Sequence, residues 1–257
     1  MACLTAQAGA GLIKPTMNRL PLKLFLLALL LGCTAVVTAV VKAQLGPRHL
    51  PNARYLKAAA FQDGEWKWAD AQKGNLKGTL TFSAKRPQQP VVVYLVRLGD
   101  GDKPGEQGVF SAPATLDVSQ KGGKFEPSFG VLVRKQKVKF LNDEENEISH
   151  NVYFLGDIEA DLGIFDQGQS REHEFADAGE VSVHCSIHKR MDGRFFIAPN
   201  PAFAVLEADS DSFEIKDVPV GKYRLHTWQK QKRFKDFEAT VEVTAGGTTS
   251  VTVEMKR

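Results

Sequence analysis

Val181-Ser182-Val183-His184-Cys185-Ser186-Ile187-His188-Lys189-Arg190-Met191-Asp192-Gly193-Arg194-Phe195-Phe196-Ile197-Ala198 is the stretch on which the fold turns. It reads as strand, loop, strand. Val181, Val183 and Cys185 fall on one face of the first strand, so the thiol points from the core side at the strand end. Three residues on, the loop can turn His188 back to the same place, and Met191 arrives three residues later. Phe195-Phe196-Ile197 then resumes as the next strand and offers an apolar wall. A second histidine, His150, stands 35 residues before the cysteine at the head of another strand, Asn151-Val152-Tyr153-Phe154. Two imidazoles, a thiolate and a thioether form the donor set of a mononuclear copper electron-transfer site. The sulfurs suit Cu(I), and a trigonal His2Cys set with weak axial Met compromises between the geometries of the two oxidation states.

Outward from this stretch, apolar alternation of period two recurs and helical periodicity is scarce. Leu80 to Phe82, Val91 to Val96, Gly130 to Val133 and Val138 to Leu141 read as further strands upstream. Phe203 to Leu206, Phe213 to Ile215, Tyr223 to Trp228, Phe237 to Val243 and Thr249 to Met255 read as strands downstream. Gly99-Asp100-Gly101, Gly122-Gly123, Asn142-Asp143 and Gly246-Gly247 supply turns between them. Many short strands so spaced indicate all-β sandwiches or barrels. Only Ala53 to Lys73 reads as helical, with little periodic support. The polar connector Gly99 to Gly108 and the break Pro199-Asn200-Pro201 isolate a block of about 90 residues, because proline cannot donate to a ladder.

From about Phe125 to Ala198 the chain resembles the cupredoxins, the small blue copper proteins. The short Cys185-x2-His188-x2-Met191 loop is most similar to that of the amicyanins. The resemblance implies a Greek-key β-sandwich holding one type 1 copper ion through His150, Cys185, His188 and Met191. It also implies transfer of single electrons between redox protein partners. Asn151 follows His150 as it often does in the family, where that residue ties the two ligand loops together. Phe125-Glu126-Pro127 resembles the family's early Phe-x-Pro. Ile187 and Lys189 stand where prolines are common in such loops, a departure that loosens the loop and shifts the potential.

Gly78 to Leu95, together with Phe213-Glu214-Ile215-Lys216-Asp217-Val218-Pro219-Val220-Gly221-Lys222-Tyr223, resembles a carboxypeptidase-regulatory or transthyretin-like sandwich, whose mark is the Pro-x-Gly-x-Tyr turn. Bacterial proteins labelled methylamine-utilisation proteins combine similar pieces. The implied organisation is a leader over 1–43, an N-terminal segment over 44–74, a second small sandwich from 75–102 with 200–257, and a cupredoxin domain over 108–199. The cupredoxin block is then inserted within, or laid against, the other sandwich. Absence of strand pairing between residues 78–96 and 203–255 would refute insertion.

Blander readings stand beside these. A lone strand cysteine is ordinarily a buried small hydrophobe. Zinc is the chemical rival, but its sites draw on Cys, His and carboxylates rather than Met. A thiolate-bridged binuclear copper site needs a second cysteine beyond the leader. Multicopper oxidases resemble one another in placing His on both sides of their Cys, whereas Ser186 follows Cys185 here and no His-x-His pair exists, so no enzyme is expected. A copper carrier, or a binding module retaining the copper fold for structure only, is the second functional reading. A catalytic copper with an open position, not bound by Met191, is a third. His184 alternates away from Cys185 and reads as a surface or sandwich-facing residue, His173 as a solvated strand residue, and His226 with Trp228 as packing. Lys189, Arg190 and Arg194 form either a basic rim for an acidic redox partner or a solvated loop. Asp143-Glu144-Glu145-Asn146-Glu147 reads as a solvated turn, and Asp209-Ser210-Asp211 as a hairpin turn.

Leu24 to Val41 is an uncharged, mostly apolar run of 18 residues behind Arg19 and Lys23, and Val41-Lys42-Ala43 carries small residues at the −3 and −1 positions of a cleavage site. Cleavage after Ala43, a retained membrane anchor and a lipid anchor on Cys33 all fit this pattern, with Met17 as a candidate true start. Each puts the folded part outside the cytoplasm, in a periplasmic or other extracytoplasmic space, with membrane contact only through a retained leader. The first 43 residues hold four of the chain's 33 basic residues and none of its 30 acids. The remainder is therefore near neutral, which argues against nucleic acid as a partner. Without Cys3 and Cys33, Cys185 has no partner for a disulfide.

Overall fold

Several strands of this chain are apolar at consecutive rather than alternate positions, which is what burial on both faces requires. Val91-Val92-Val93, Phe129 to Val133, Phe195 to Ala198 and Phe203 to Leu206 are such runs, and every residue in them is buried. A computed structural model, describing residues 68–257 except Asp70 and Ala112, shows the reason. Four sheets stack so that the two middle ones are covered on both sides.

The outermost sheet of one sandwich orders β12 (Ser212–Pro219), β1 (Lys73–Phe82) and β15 (Thr248–Met255). Its partner sheet orders β11 (Phe203–Leu206), β2 (Val91–Arg97), β13 (Gly221–Gln229) and β14 (Glu238–Val243). Leu76, Leu80, Ile215 and Val253 from the first meet Val93, Leu95, Tyr223 and Leu225 from the second in one core. Residues 73–97 thus pair with residues 203–255: β1 lies between β12 and β15, and β2 between β11 and β13. The Pro-x-Gly-x-Tyr turn closes this core. Tyr223 is fully buried and its hydroxyl donates to the Pro219 carbonyl at 2.7 Å.

The intervening residues build the second sandwich. One sheet orders β4 (Phe129–Val133), β10 (Asp192–Ala198), β9 (Gly179–His184), β6 (His150–Gly156) and β7 (Ala160–Phe165). The other orders β3 (Leu116–Ser119), β5 (Lys137–Leu141) and β8 (Ser170–Glu174). Their shared core gathers Phe125, Phe140, Phe154, Phe175, Val181, Val183 and Phe195. The opposite faces of β4 and β10 then pack on the outer faces of β2, β11 and β13. That seam contains Val92, Phe129, Val131, Phe196, Phe203 and Trp228. A polar clasp crosses it: Trp228 Nε1–H donates to Glu180 at 2.8 Å, and the same carboxylate pairs with Arg194.

Both chain crossings between the sandwiches are tied to each other. Asn200 is fully buried in the Pro-Asn-Pro break; its Nδ2 donates to the Leu95 carbonyl and to Gln107 Oε1 at 2.8 and 2.9 Å, and its Oδ1 accepts from Ala202 N–H. Gln107, in the polar connector, in turn accepts from Arg97 N–H. The break is thus a fixed corner.

The helical expectation over Ala53 to Lys73 is corrected where the structure describes it. Trp68 forms an isolated bridge to Phe110, and Lys73 already opens β1. The strand wins because β1 alternates Leu76 and Leu80 into the core over ten residues. The leader with Cys33, and His49, lie outside the described residues. Among the described residues, no helix is long and apolar enough to cross a membrane.

Candidate metal centre

The antiparallel register of β6 on β9 sets the site. Tyr153 pairs with His184, so stepping back along β6 to His150 runs beside the chain stepping forward from His184 to Cys185. Cys185 Sγ lies 3.9 Å from His150 Nδ1 and 3.7 Å from His188 Nδ1, and the two Nδ1 atoms are 3.1 Å apart. His150 is fully buried, Cys185 is buried and His188 is half-buried.

Asn151 joins the two ligand segments. Its N–H faces the Cys185 sulfur at 3.4 Å, its Oδ1 accepts the Ser186 N–H at 3.2 Å, and its Nδ2 donates to Asp161 at 2.7 Å. Met191 N–H donates to the His188 carbonyl at 2.9 Å, which curls the loop back on itself. The Met191 side chain is 1% exposed and packs in the core cluster that contains Cys185. The exposed rim of the loop carries Ile187, Lys189 and Arg190. Arg194 is not part of a free rim; it is committed to Glu180.

These atoms fit a metal. A point equidistant from three atoms with those separations lies about 2.1 Å from each, the length of an ordinary bond from a divalent first-row ion to imidazole, about 2.0–2.1 Å. One sulfur and two imidazole nitrogens suit copper, with Met191 sulfur as the soft candidate for a fourth position.

One residue of the site was missed in the sequence. Within the acidic run expected to be a solvated turn, Glu144 turns inward and its side chain is only 8% exposed. His150 Nε2–H donates to its Oε1 at 3.0 Å. The Gly122 and Gly123 N–H groups donate to the same carboxylate at 3.0 and 3.1 Å. Burial pushes this carboxyl up, but the two glycine N–H groups and His150 outweigh it and hold it below the usual glutamate range. The available signals were a glutamate six residues before the histidine and a Gly-Gly pair, but no periodicity links them.

The other described histidine rings lie outside the His150–Cys185–His188 cluster. His184 packs against Tyr153 with ring planes tilted by 30° and centroids 5.4 Å apart. His173 lies between Phe154 and Phe175 at 4.9 and 4.8 Å, so it is half-buried rather than solvated. His226 stacks on Tyr94 at 5.2 Å, beside the seam. Burial, then Asp236, Glu238 and Asp157, push the Tyr94 phenol up to about 12.

Residues 205–251, within the β11–β15 sandwich, match the family model of polysaccharide lyase family 4, domain II. Among solved structures the chain is similar to the copper-containing nitrite reductase of Thermus scotoductus SA-01, at 19% identity over 46% of this chain and 28% of that one, with a TM-score of 0.32. The chain therefore spans under a third of that enzyme. A reduced Cu(I) form of an amicyanin mutant is similar at 20% identity over 34% of this chain and 85% of its own, with a TM-score of 0.30. The purple cupredoxin of Nitrosopumilus maritimus is similar at 17% identity over 32% of this chain and 99% of its own, with a TM-score of 0.29. No curated protein matches the sequence.

Proposed function

We propose that this protein is a type 1 copper protein that carries single electrons between partners outside the cytoplasm and is not itself an enzyme. The observation carrying the proposal is the convergence of Cys185 Sγ with the Nδ1 atoms of His150 and His188, all mutually within 3.9 Å. Copper, when bound, supplies the one-electron couple. Cys185 would offer the thiolate, His150 and His188 two imidazole nitrogens, and Met191 a weak sulfur donor that would tune the potential. His150 is sealed in the core and held from behind, so its ring moves little when the site's charge changes. His188 is the partly exposed ligand and the edge through which electrons pass. Ile187, Lys189 and Arg190 frame that edge with an apolar residue and two cations, and this frame fits an acidic redox partner. Cys185, buried and the only cysteine after the leader, has no disulfide role that competes with ligation. The leader supports an extracytoplasmic location.

The test is metal analysis with a visible spectrum and voltammetry on the protein isolated with its metal. One copper per chain, an intense blue thiolate band and reversible one-electron reduction are expected. A colourless protein binding only Cu(I) would replace the electron carrier with a copper carrier. Zinc at full occupancy would retire both readings.

A further inference from the structure

Glu144 sits in the loop between β5 and β6 and reaches under His150 from the side opposite the cluster. The pair is sealed: the imidazole is 0% and the carboxylate 8% exposed. An ionised carboxylate has only lone pairs to offer, so the hydrogen bond at 3.0 Å requires the proton on His150 Nε2. A neutral imidazole has one ring proton. Its Nδ1 is then a bare lone pair, and Nδ1 is the atom facing Cys185 and His188. Gly122 and Gly123, at φ of 65° and 64°, aim successive N–H groups at the same carboxylate. That left-handed pair of residues favours glycine, and its two N–H groups stabilise negative charge on the carboxylate. His188 has no carboxylate partner among the described residues, so the two imidazoles are unequal. One is backed by a carboxylate and buried, the other lacks that backing and is partly exposed.

We propose that Glu144 is a positioning residue that locks the His150 tautomer and, as a fixed negative charge one ring from the metal, holds bound copper toward its higher oxidation state. The proposal rests on the copper reading above. A carboxylate behind a ligating histidine raises that ligand's basicity and orients its ring. Negative charge near the ion favours Cu(II) over Cu(I) by Coulomb attraction, screened less here than in bulk water. Glu144 therefore lowers the reduction potential through His150, without touching the metal. It also anchors the turn at residues 122–123 to the ligand, so the tautomer and the loop are set by one group.

Glu144→Gln separates charge from shape, because glutamine keeps an acceptor oxygen in place. Its ratio of Cu(II) to Cu(I) affinity, measured by competition titration, should fall at least tenfold, a rise in potential of about 59 mV for one electron. Glu144→Leu removes the acceptor. Nitrogen-15 NMR of the metal-free protein should show His150 protonated on Nε2 in the wild type and mixed between the nitrogens in that variant. A folded Glu144→Gln protein with the wild-type potential overturns the charge role. A wild-type His150 protonated on Nδ1 overturns the positioning role. The tautomer measurement uses metal-free protein, so it fails only if Glu144 is misread, whereas a wild-type chain without blue copper fails the copper reading instead. If Glu144→Leu does not fold, Glu144→Gln with the wild-type spectrum still decides the matter.

Discussion

Trp228→Ala should cost about 3–5 kcal/mol of stability and should uncouple the two sandwiches before it disturbs the ligand strands. Trp228 is 4% exposed, and its ring stacks on Phe196 at 5.2 Å and on Phe129 at 5.9 Å. Both of those belong to the other sandwich, so the side chain is a wedge across the seam. An aromatic of this size buries roughly 150–250 Å2, about 4–6 kcal/mol at 25 cal/mol per Å2. That figure is an upper bound, because real unfolded chains already bury part of the area, and the observed range for truncating a buried aromatic is about 3–5 kcal/mol. The lost hydrogen bond to Glu180 adds less, because Arg194 and Lys232 still face that carboxylate. Trp228→Phe keeps one aromatic ring but loses the donor and the pyrrole half of the indole, so it should cost about 1–3 kcal/mol, less than alanine. The assay is urea unfolding of the metal-free protein by circular dichroism, with amide hydrogen exchange to locate the loss. Protection should fall in β2, β11, β13, β4 and β10 and persist in β6. A loss under 1 kcal/mol for Trp228→Ala, or exchange that rises first in β6, would refute the reasoning.

Met191→Leu preserves volume at a site 1% exposed, so stability should stay within about 1.5 kcal/mol; voltammetry should show a raised potential, because any lone-pair donor, even a soft one, stabilises the doubly charged ion more than the singly charged one. Asn151→Ala removes the bonds to Ser186 and Asp161; it should destabilise the metal-free protein by about 2 kcal/mol in urea and speed copper loss to a chelator. Burial holds His173 below the ordinary histidine range, against a smaller opposing pull from Glu174. Burial also lowers His226, where Glu238 and Asp236 raise it and Arg224 lowers it. The unfolded chain therefore binds more protons than the folded one once the pH falls below about 6.5, and stability contributed by the neutral rings, full above that pH, drains away on acidification. Replacing both histidines by glutamine should flatten the decline in melting temperature between pH 7 and 5.

Much of the β content was legible because most strands carry their own pattern. The runs at Val91, Phe195 and Phe203 and the alternation through Val181 to Cys185 survive translation into β2, β10, β11 and β9. β3 and β7 did not announce themselves. β3 has only four residues, and β7 exposes Ile164 and bends at Gly163, whose φ is 75°. An edge strand with one thin apolar face and an interrupted alternation looks like a loop in the sequence.

Cys185, His188 and Met191 declared themselves by spacing, because one tight loop brings them together and a loop's reach is local. The sequence by itself therefore determined the strand-rich character and named the four candidate ligands, three of them through the spacing of one loop. It did not determine that His150 arrives at 3.1 Å from His188, since that distance depends on the register of β6 against β9. Nor did it show Glu144 turning inward, Trp228 crossing the seam, or Arg194 leaving the loop for Glu180. Each of these is a contact between segments far apart in the chain, paid for by burial that only the assembled layers provide. Local pattern encodes what a segment can become, whereas the dry environment that makes one charge or one ring matter exists only once the sheets have closed around it.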